Sequence, residues 1–430
     1  MHSTIIEAVR KGPNPGEGFE MAVLPNGYFL PVLFFFNEPN GDVNIAALTT
    51  QCLVPNPADP WGASFGWTAM NNFFDIWHGD FNTSFENVRF RGSSGDWEGY
   101  NVAHSIRIIG GDGGLNKGVG NHTIKNTDTD QIFCGPHIDN WKNSTITIGG
   151  IEADKNTFTN IGLDAIRTYF IDNSNVLIKE NTIMMSNGQI GIRVWYAPGS
   201  LVQGNTISGT WAGWIPVGIL AYESPMSYIA DNQINSDGNY FGIYFYASPN
   251  SLVQGNYLTG SLVYYGIYLS WADSTLIKGN SFENFTSEEN AVSIEYSQQC
   301  IVTENTFTNV TTPRGIVWNS GSNNSILDND YRKSGVTGWG DPWWTDYGCV
   351  MLYFGSNDNL VSESGDFMPG TGGAMSHVFD LGTNNRVVGH PANHVSDPGI
   401  GQGLQEIKDE IAAKEQLIAE MLAALEQEPY

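Results

Sequence analysis

The chain is poor in charge, and in positive charge above all. Only 15% of its 430 residues are charged, and 45 acidic residues against 19 Lys and Arg leave a formal net charge of −26. Such a chain repels phosphate backbones and anionic headgroups, which excludes nucleic acid and an anionic membrane surface as partners. It also disfavours a polyanionic glycan unless cations bridge the two. No run of 18 apolar residues exists, and the stretch Phe29 to Phe36 is too short to span a bilayer. The four cysteines, Cys52, Cys134, Cys300 and Cys349, show no metal-type spacing. Single buried thiols are therefore expected rather than a disulfide framework, and the redox compartment stays open. No signal peptide is legible after Met1-His2, although a removed one would leave the same appearance.

What the chain does have is 50 Gly, 12% aromatic residues and a clock. Asn156, Asn181, Asn205, Asn232, Asn256, Asn280, Asn305 and Asn329 recur at spacings of 25, 24, 27, 24, 24, 25 and 24. An apolar pair precedes most of them, as in Leu201-Val202, Leu252-Val253 and Leu276-Ile277, and a short strand-like segment such as Thr206-Ile207 follows. A second marker keeps the same time: Gly191-Ile192, Gly218-Ile219, Gly242-Ile243, Gly266-Ile267 and Gly315-Ile316, with Ala165-Ile166 and Ala291-Val292 as variants. Repetition at this period signals a solenoid, in which one unit cannot bury its apolar face alone. Short strands and Gly/Asn/Ser/Asp turns without helical periodicity fit a coil of parallel β-strands. Stacked coils lie ~4.8 Å apart, so each asparagine is expected above the next. Asn tolerates left-handed backbone at a sharp turn, and its amide can donate to the neighbouring coil's.

These residues resemble the parallel β-helix repeat of the pectate-lyase-like superfamily and the related NosD-like repeat proteins, over roughly residues 80–395. The resemblance implies an all-β fold, a right-handed parallel β-helix of about 10–12 coils of 24–25 residues. It says little about activity, because that superfamily includes lyases, glycosidases, epimerases, tailspikes and binding proteins. Residues 1–80 are expected to form an N-terminal cap and first strands, 81–397 the β-helix, and 398–430 a C-terminal amphipathic helix. Within the first segment, Ser3 to Val9 reads as a short helix and Ala22 to Leu30 as an opening strand. The aromatic-rich stretch Pro60 to Trp77 reads as a cap over the coil end, or as a loop over a groove. After Pro398-Gly399, Leu404, Ile407, Ile411, Ile418, Met421 and Leu425 form one stripe. That helix either packs along the solenoid or joins copies of the chain through residues 404–426 as a coiled coil.

Strand alternation carries the functional reading. The isoleucine of Gly-Ile points inward, so the residues after it alternate outward. The outward pairs are Arg167 and Tyr169, Arg193 and Trp195, Leu220 and Tyr222, Tyr244 and Tyr246, Tyr268 and Ser270, Ser293 and Glu295. Aromatic faces suit stacking on sugar rings, and Arg offers forked donors to hydroxyls and carboxylates. Tyr169, Trp195, Tyr222, Tyr244, Tyr246 and Tyr268 are thus the candidate substrate-binding residues. Asp164, Asp172 and Glu223, with Arg167 and Arg193, are the candidate catalytic ones. Glycoside hydrolysis needs two carboxylates at a fixed separation; a lyase needs a base and charge neutralisation by Arg. His137 and His377 receive no role.

Asn126-Thr127-Asp128 is similar to a motif of polygalacturonase-like hydrolases, but their paired Asp and Gly-His-Gly have no counterpart here. The region around the Arg332 to Tyr347 insertion is similar to inulin fructotransferases, trimeric β-helices whose carboxylates do not map onto this chain. No metal site is expected, and the single cofactor left open is calcium, at Gly110-Gly111-Asp112-Gly113-Gly114. The sequence thus points to an extracellular, cell-surface or periplasmic carbohydrate-active β-helix, a glycosidase or a lyase, whose partner is a polysaccharide or oligosaccharide. The rivals are a non-catalytic glycan-binding or tailspike-like adhesion protein and a NosD-like periplasmic accessory factor. The last would be expected to offer clustered Met, His or Cys ligands, whereas the 10 Met and 8 His are scattered.

Overall fold

The computed structural model describes residues 42–52, 70–92, 102–111, 116–211, 215–331, 334–337, 348–362 and 376–388. It also describes the strands Thr4–Ala8, Met21–Val23 and Phe29–Asn37, and five positions of a C-terminal helix between 409 and 416. The chain is an all-β parallel solenoid. One face is a 13-stranded sheet running from Val43–Ala46 to Arg386–Val388, every neighbour parallel. The remaining faces pair turn on turn in the same sense. Among the described residues only Met21–Val23 against Phe29–Pro31 is antiparallel.

Inward side chains fill a continuous core. Ile166, Ile192, Ile219, Ile243 and Ile267, the isoleucines of the Gly-Ile marker and its Ala165 variant, are all fully buried in it. The glycines before them are there for space. A Cβ on Gly218 would lie 2.5 Å from the carbonyl oxygen of Gly242, and one on Gly242 2.6 Å from that of Gly266.

The asparagine clock is a hydrogen-bonded ladder. From Asn156 to Asn329, each Nδ2 donates to the next Oδ1 at 2.9 Å. Each of these Oδ1 atoms from Asn205 onward also accepts the preceding ladder residue's backbone N–H, as Asn205 does from Asn181 at 3.0 Å. One part of the expectation is corrected: the left-handed residue is not the ladder asparagine. It is the residue before it, Glu180, Gly204, Asp231, Gly255, Gly279, Glu304 or Asp328. That geometry turns the amide into the coil, where it must be satisfied by its neighbours.

The N-terminal expectations change. Thr4–Ala8 is a strand parallel to Leu48–Cys52, not a helix; β-branched Thr4, Ile5 and Ile6 suit a pleated surface once a partner strand is present. The coil begins before residue 81. Val43–Ala46 pairs with Thr83–Glu86, and Met70–Trp77 pairs with both Phe29–Asn37 and Val102–Ile109. Phe73 and Phe74 are core residues rather than loop aromatics, whereas residues 53–69 lie outside those described. Early turns are longer, with Val43 opposite Thr83 and Thr83 opposite His122, and this hides the period.

At the other end, Ile411 is buried against Leu252, Leu276 and Ile301. Those leucines are the first members of the apolar pairs. Val253 and Ile277, the second members, lie in the main core. The 13-stranded sheet is therefore apolar on both faces at these turns, and the C-terminal helix contributes to the outer layer. Asp409, Ala412, Ala413 and Gln416 face solvent. Cys134, Cys300 and Cys349 are buried.

Candidate functional site

The strands opened by the Gly-Ile marker stack in register with one another and with the earlier strands Met70–Trp77, Val102–Ile109 and His137–Lys142, so their outward residues form two columns. The first runs Asp75, Arg107, His137, Arg167, Arg193, Leu220, Tyr244, Tyr268, Ser293, Trp318. The second runs Trp77, Ile109, Asp139, Tyr169, Trp195, Tyr222, Tyr246, Ser270, Glu295. The face is thus charged over its first turns and aromatic over the later ones.

In the charged half, each arginine lies over a ring of the second column, from the preceding coil for Arg107 and two residues on for Arg167 and Arg193. Arg107 is 4.8 Å from the Trp77 ring, Arg167 5.3 Å from Tyr169 and Arg193 5.4 Å from Trp195. Stacking of this kind fixes a guanidinium plane while leaving its N–H edges usable. Arg193 is committed further: it donates through one terminal nitrogen to Asp164 Oδ1 at 3.0 Å. Its Nε lies 3.0 Å from Asp164 Oδ2, off the hydrogen-bond direction. Arg167 is 3.9 Å from the same carboxylate, and Arg107 4.0 Å from Asp75. Asp75 also accepts from Asn72 at 2.8 Å and from Trp77 Nε1, and its burial raises its pKa.

Between these arginines stand the groups with the most chemical freedom. His137 is buried, and neither ring nitrogen has a hydrogen-bond partner among the described residues. Burial, then the neighbouring His104, Arg167, Arg107 and Arg193, holds its pKa well below the usual histidine value, so the ring is neutral at pH 7. Its Nε2 is 3.9 Å from Asp139 Oδ2. Burial pushes the Asp139 carboxyl up to about 6 despite Arg167 and Arg107, and its Oδ1 has no partner. His104, its ring centroid 5.4 Å from that of His137, donates from Nδ1 to Asn72 Oδ1 at 2.8 Å. Its pKa falls to about 3, chiefly through burial.

The structure brings Asp164, Arg167 and Arg193 together and leaves Asp172 and Glu223 elsewhere. Asp172, five residues along the strand from Arg167, is exposed and pairs with Lys117 at 2.7 Å. Glu223 sits in the turn after Tyr222 and accepts from the Tyr196 hydroxyl at 3.2 Å. The aromatic candidates are half-buried and touch one another. Trp195 lies 5.1 Å from Tyr169 and 4.7 Å from Tyr222, which stacks on Tyr246 at 4.7 Å. Tyr244 and Tyr268 pack with Phe241, Tyr265 and Leu220, and Tyr268 donates to Glu295 at 2.8 Å.

Sequence reasoning missed Asp75, His104, Arg107, His137 and Asp139 as site residues. A signal existed: Arg107, His137 and Arg167 are each 30 residues apart. The coil here is longer than 24–25 residues and lacks the Gly-Ile marker, so the outward columns could not be extended backward from Arg167. The strand of His377 is described but its side chain is not.

The profile of the family described as periplasmic copper-binding protein (NosD) matches residues 99–290 and 216–337, and the chain belongs to this family. No curated protein sequence matches it significantly. Solved structures of similar outline include the Streptococcus pneumoniae surface protein and adhesin PfbA, at 10% identity over 80% of this chain and 89% of that one, TM-score 0.42. Another is the tailspike of E. coli bacteriophage HK620 in complex with a hexasaccharide, at 12% identity over 81% and 73%, TM-score 0.39. A third is the DFA-IIIase of Arthrobacter chlorophenolicus A6, at 10% identity over 83% and 88%, TM-score 0.36.

The family description raises copper, and the donor set can be tested against it. Among the described residues no group of three or more His, Cys, Asp and Glu side chains is arranged to hold a metal ion. His104, His137 and Cys134 come near one another, but three arginines surround them and burial pushes the Cys134 thiol up to about 12. A thiolate is the form that binds soft metals, and adjacent guanidinium groups oppose a cation. The described residues do not fit copper.

Proposed function

We propose that the protein binds an acidic polysaccharide along the outward columns and cleaves it by elimination at the His137–Asp139 pair. The observation that carries this reading is the set of unpartnered buried atoms, both His137 ring nitrogens and Asp139 Oδ1, between Arg107 and Arg167. A uronate carboxylate seated on those arginines would be neutralised, which acidifies the adjacent C–H. Asp139, titrating near neutrality, suits the base: it takes that proton, the electron pair forms the C=C bond, and the glycosidic C–O bond breaks. The departing oxygen then receives its proton from the Asp139 carboxyl that took it up, and the neutral His137 ring offers that oxygen a hydrogen bond without giving up its own proton. Hydrolysis is a weaker fit, since it needs two available carboxylates and Asp164, Asp172 and Glu223 are each engaged. The net charge of −26 is offset locally by the arginine column.

The site residues of this proposal are Asp139, His137, Arg107, Arg167 and Arg193, with Tyr169, Trp195, Tyr222, Tyr244, Tyr246 and Tyr268 lining the bound chain. A periplasmic location accords with the family description. The rival is a non-catalytic glycan-binding protein, favoured by the ring-to-ring contacts that already occupy much of the aromatic face. Incubation with polyuronates, reading unsaturated ends by absorbance, separates the two. Asp139→Asn should abolish product while retaining the glycan in affinity electrophoresis, and wild-type binding without product would leave the non-catalytic reading standing.

A further inference from the structure

Beyond the columns, the residue after the second-column position is left-handed in every coil from Trp77 to Glu295 but that of Ile109, and along the solenoid it reads His78, Asn140, Phe170, Tyr196, Glu223, Ala247, Trp271, Tyr296. Backbone of this kind favours Asn, Asp or Gly, and a bulky side chain there is uncommon. Two pairs of rings nevertheless stack in it. Phe170 and Tyr196 lie 4.8 Å apart at 12°, and they are braced by Tyr169 and Trp195. Trp271 and Tyr296 lie 5.2 Å apart at 10° and are the opposite case, 57% and 62% exposed. Their strands end in Ser270 and Glu295, the two positions where the second outward column ceases to be aromatic. The aromatic tract therefore does not stop at Tyr246 but moves one residue into the turn.

We infer that Trp271 and Tyr296 form a distal subsite for the same glycan, a flat double-ring platform for the C–H faces of pyranose rings. The inference rests on the reading of the columns as a glycan track. From the Tyr169 turn to the Tyr296 turn are five coil steps of ~4.8 Å, roughly 24 Å in all. A mono- or disaccharide cannot reach from Arg167 to this platform, so the substrate class is a polymer, held several residues away from the bond that reacts. Structural packing does not account for two parallel, largely exposed rings in backbone that asparagine would fill better. Exposed contiguous aromatic area of this kind marks an interaction site.

The test is the double variant Trp271→Asn, Tyr296→Asn, which suits the left-handed turn and so should fold at least as well as the wild type. Affinity for polygalacturonate and polymannuronate is measured for each polymer and its tetrasaccharide. Retention of polymer should weaken by roughly five- to tenfold while tetrasaccharide binding stays unchanged. Unchanged polymer binding overturns the subsite and leaves the main reading intact. Equal loss for polymer and tetrasaccharide overturns it too, since the rings would then belong to the primary site. A wild type that binds none of the four probes removes the main reading, and the subsite with it.

Discussion

At the residue scale, stability and chemistry rest on polar groups that water cannot reach, and the two sets are satisfied to opposite degrees. Asn205 uses every valence: its Nδ2 donates to Asn232 Oδ1 and Ile178 O at 2.9 Å, and its Oδ1 accepts two N–H groups from Asn181. Asn205→Ala strands those groups and should cost ~1–3 kcal/mol in denaturant unfolding, whereas exposed Asn116→Ala should cost little. Equal costs would remove the ladder as a stabilising device. The His137–Asp139 pair is the contrary case, with three buried atoms unpaired. A carboxyl raised to about 6 is protonated below that pH and unable to accept a proton. Elimination by the wild type should therefore rise as pH increases through about 6. Arg167→Ala should weaken acidic glycans more than neutral ones, because it removes a forked partner for carboxylate. Activity that is flat from pH 5 to 8 would take Asp139 out of the base role.

At the element scale, the strands and helix were legible to different degrees, for physical reasons. From Asn156 to Asn329 the period is nearly constant, so one marker sets the register and alternation assigns faces. Arg167, Arg193 and the aromatic columns follow from that. Upstream, Arg107, His137 and Asp139 sit in longer turns whose loops conceal the repeat. The apolar pairs held information that alternation alone should have yielded: Leu252 and Val253 cannot both face one core. An outer layer was implied, and Ile411 supplies part of it. Deleting residues 404–430 should keep the β circular dichroism while exposing Leu252, Leu276 and Ile301, detected as new binding of a hydrophobic dye. Ile411→Asp should do the same in the full chain. A fall in sedimentation mass on deletion would add a role in joining copies, and no rise in dye binding would mean another segment covers the sheet.

At the scale of the whole molecule, a continuous core with neutral histidines built into its early turns makes acid the weak direction. His122 is fully buried, bonded through Nδ1 to Thr83 Oγ1 at 3.0 Å and lying 3.9 Å from the Trp141 ring, and burial lowers its pKa to about 3. His104 falls to about 3 and His137 well below its usual value. These depressed values mean that the unfolded chain takes up protons near pH 6.5 that the folded chain refuses, so stability falls as pH drops below that point. Asp139, Asp75, Glu180 and Glu289 act in the opposite sense, because their raised values let the folded state hold protons first, Asp139 from about 6 downward. The three histidines begin to titrate in the unfolded chain before these four carboxyls hold protons in the folded one, so a net uptake of about one proton on unfolding is confined to the range around pH 6–7 and is offset below it. The stability should thus decline by about 1 kcal/mol per pH unit between pH 7 and 6, and less steeply below. Thermal unfolding followed at pH 7, 6 and 5 reads this slope directly. His122→Gln should make the slope shallower by one proton whatever it costs at pH 7, since the slope counts titrating groups rather than packing. A midpoint that does not move between pH 7 and 6 would mean that these imidazoles reach water in the folded chain.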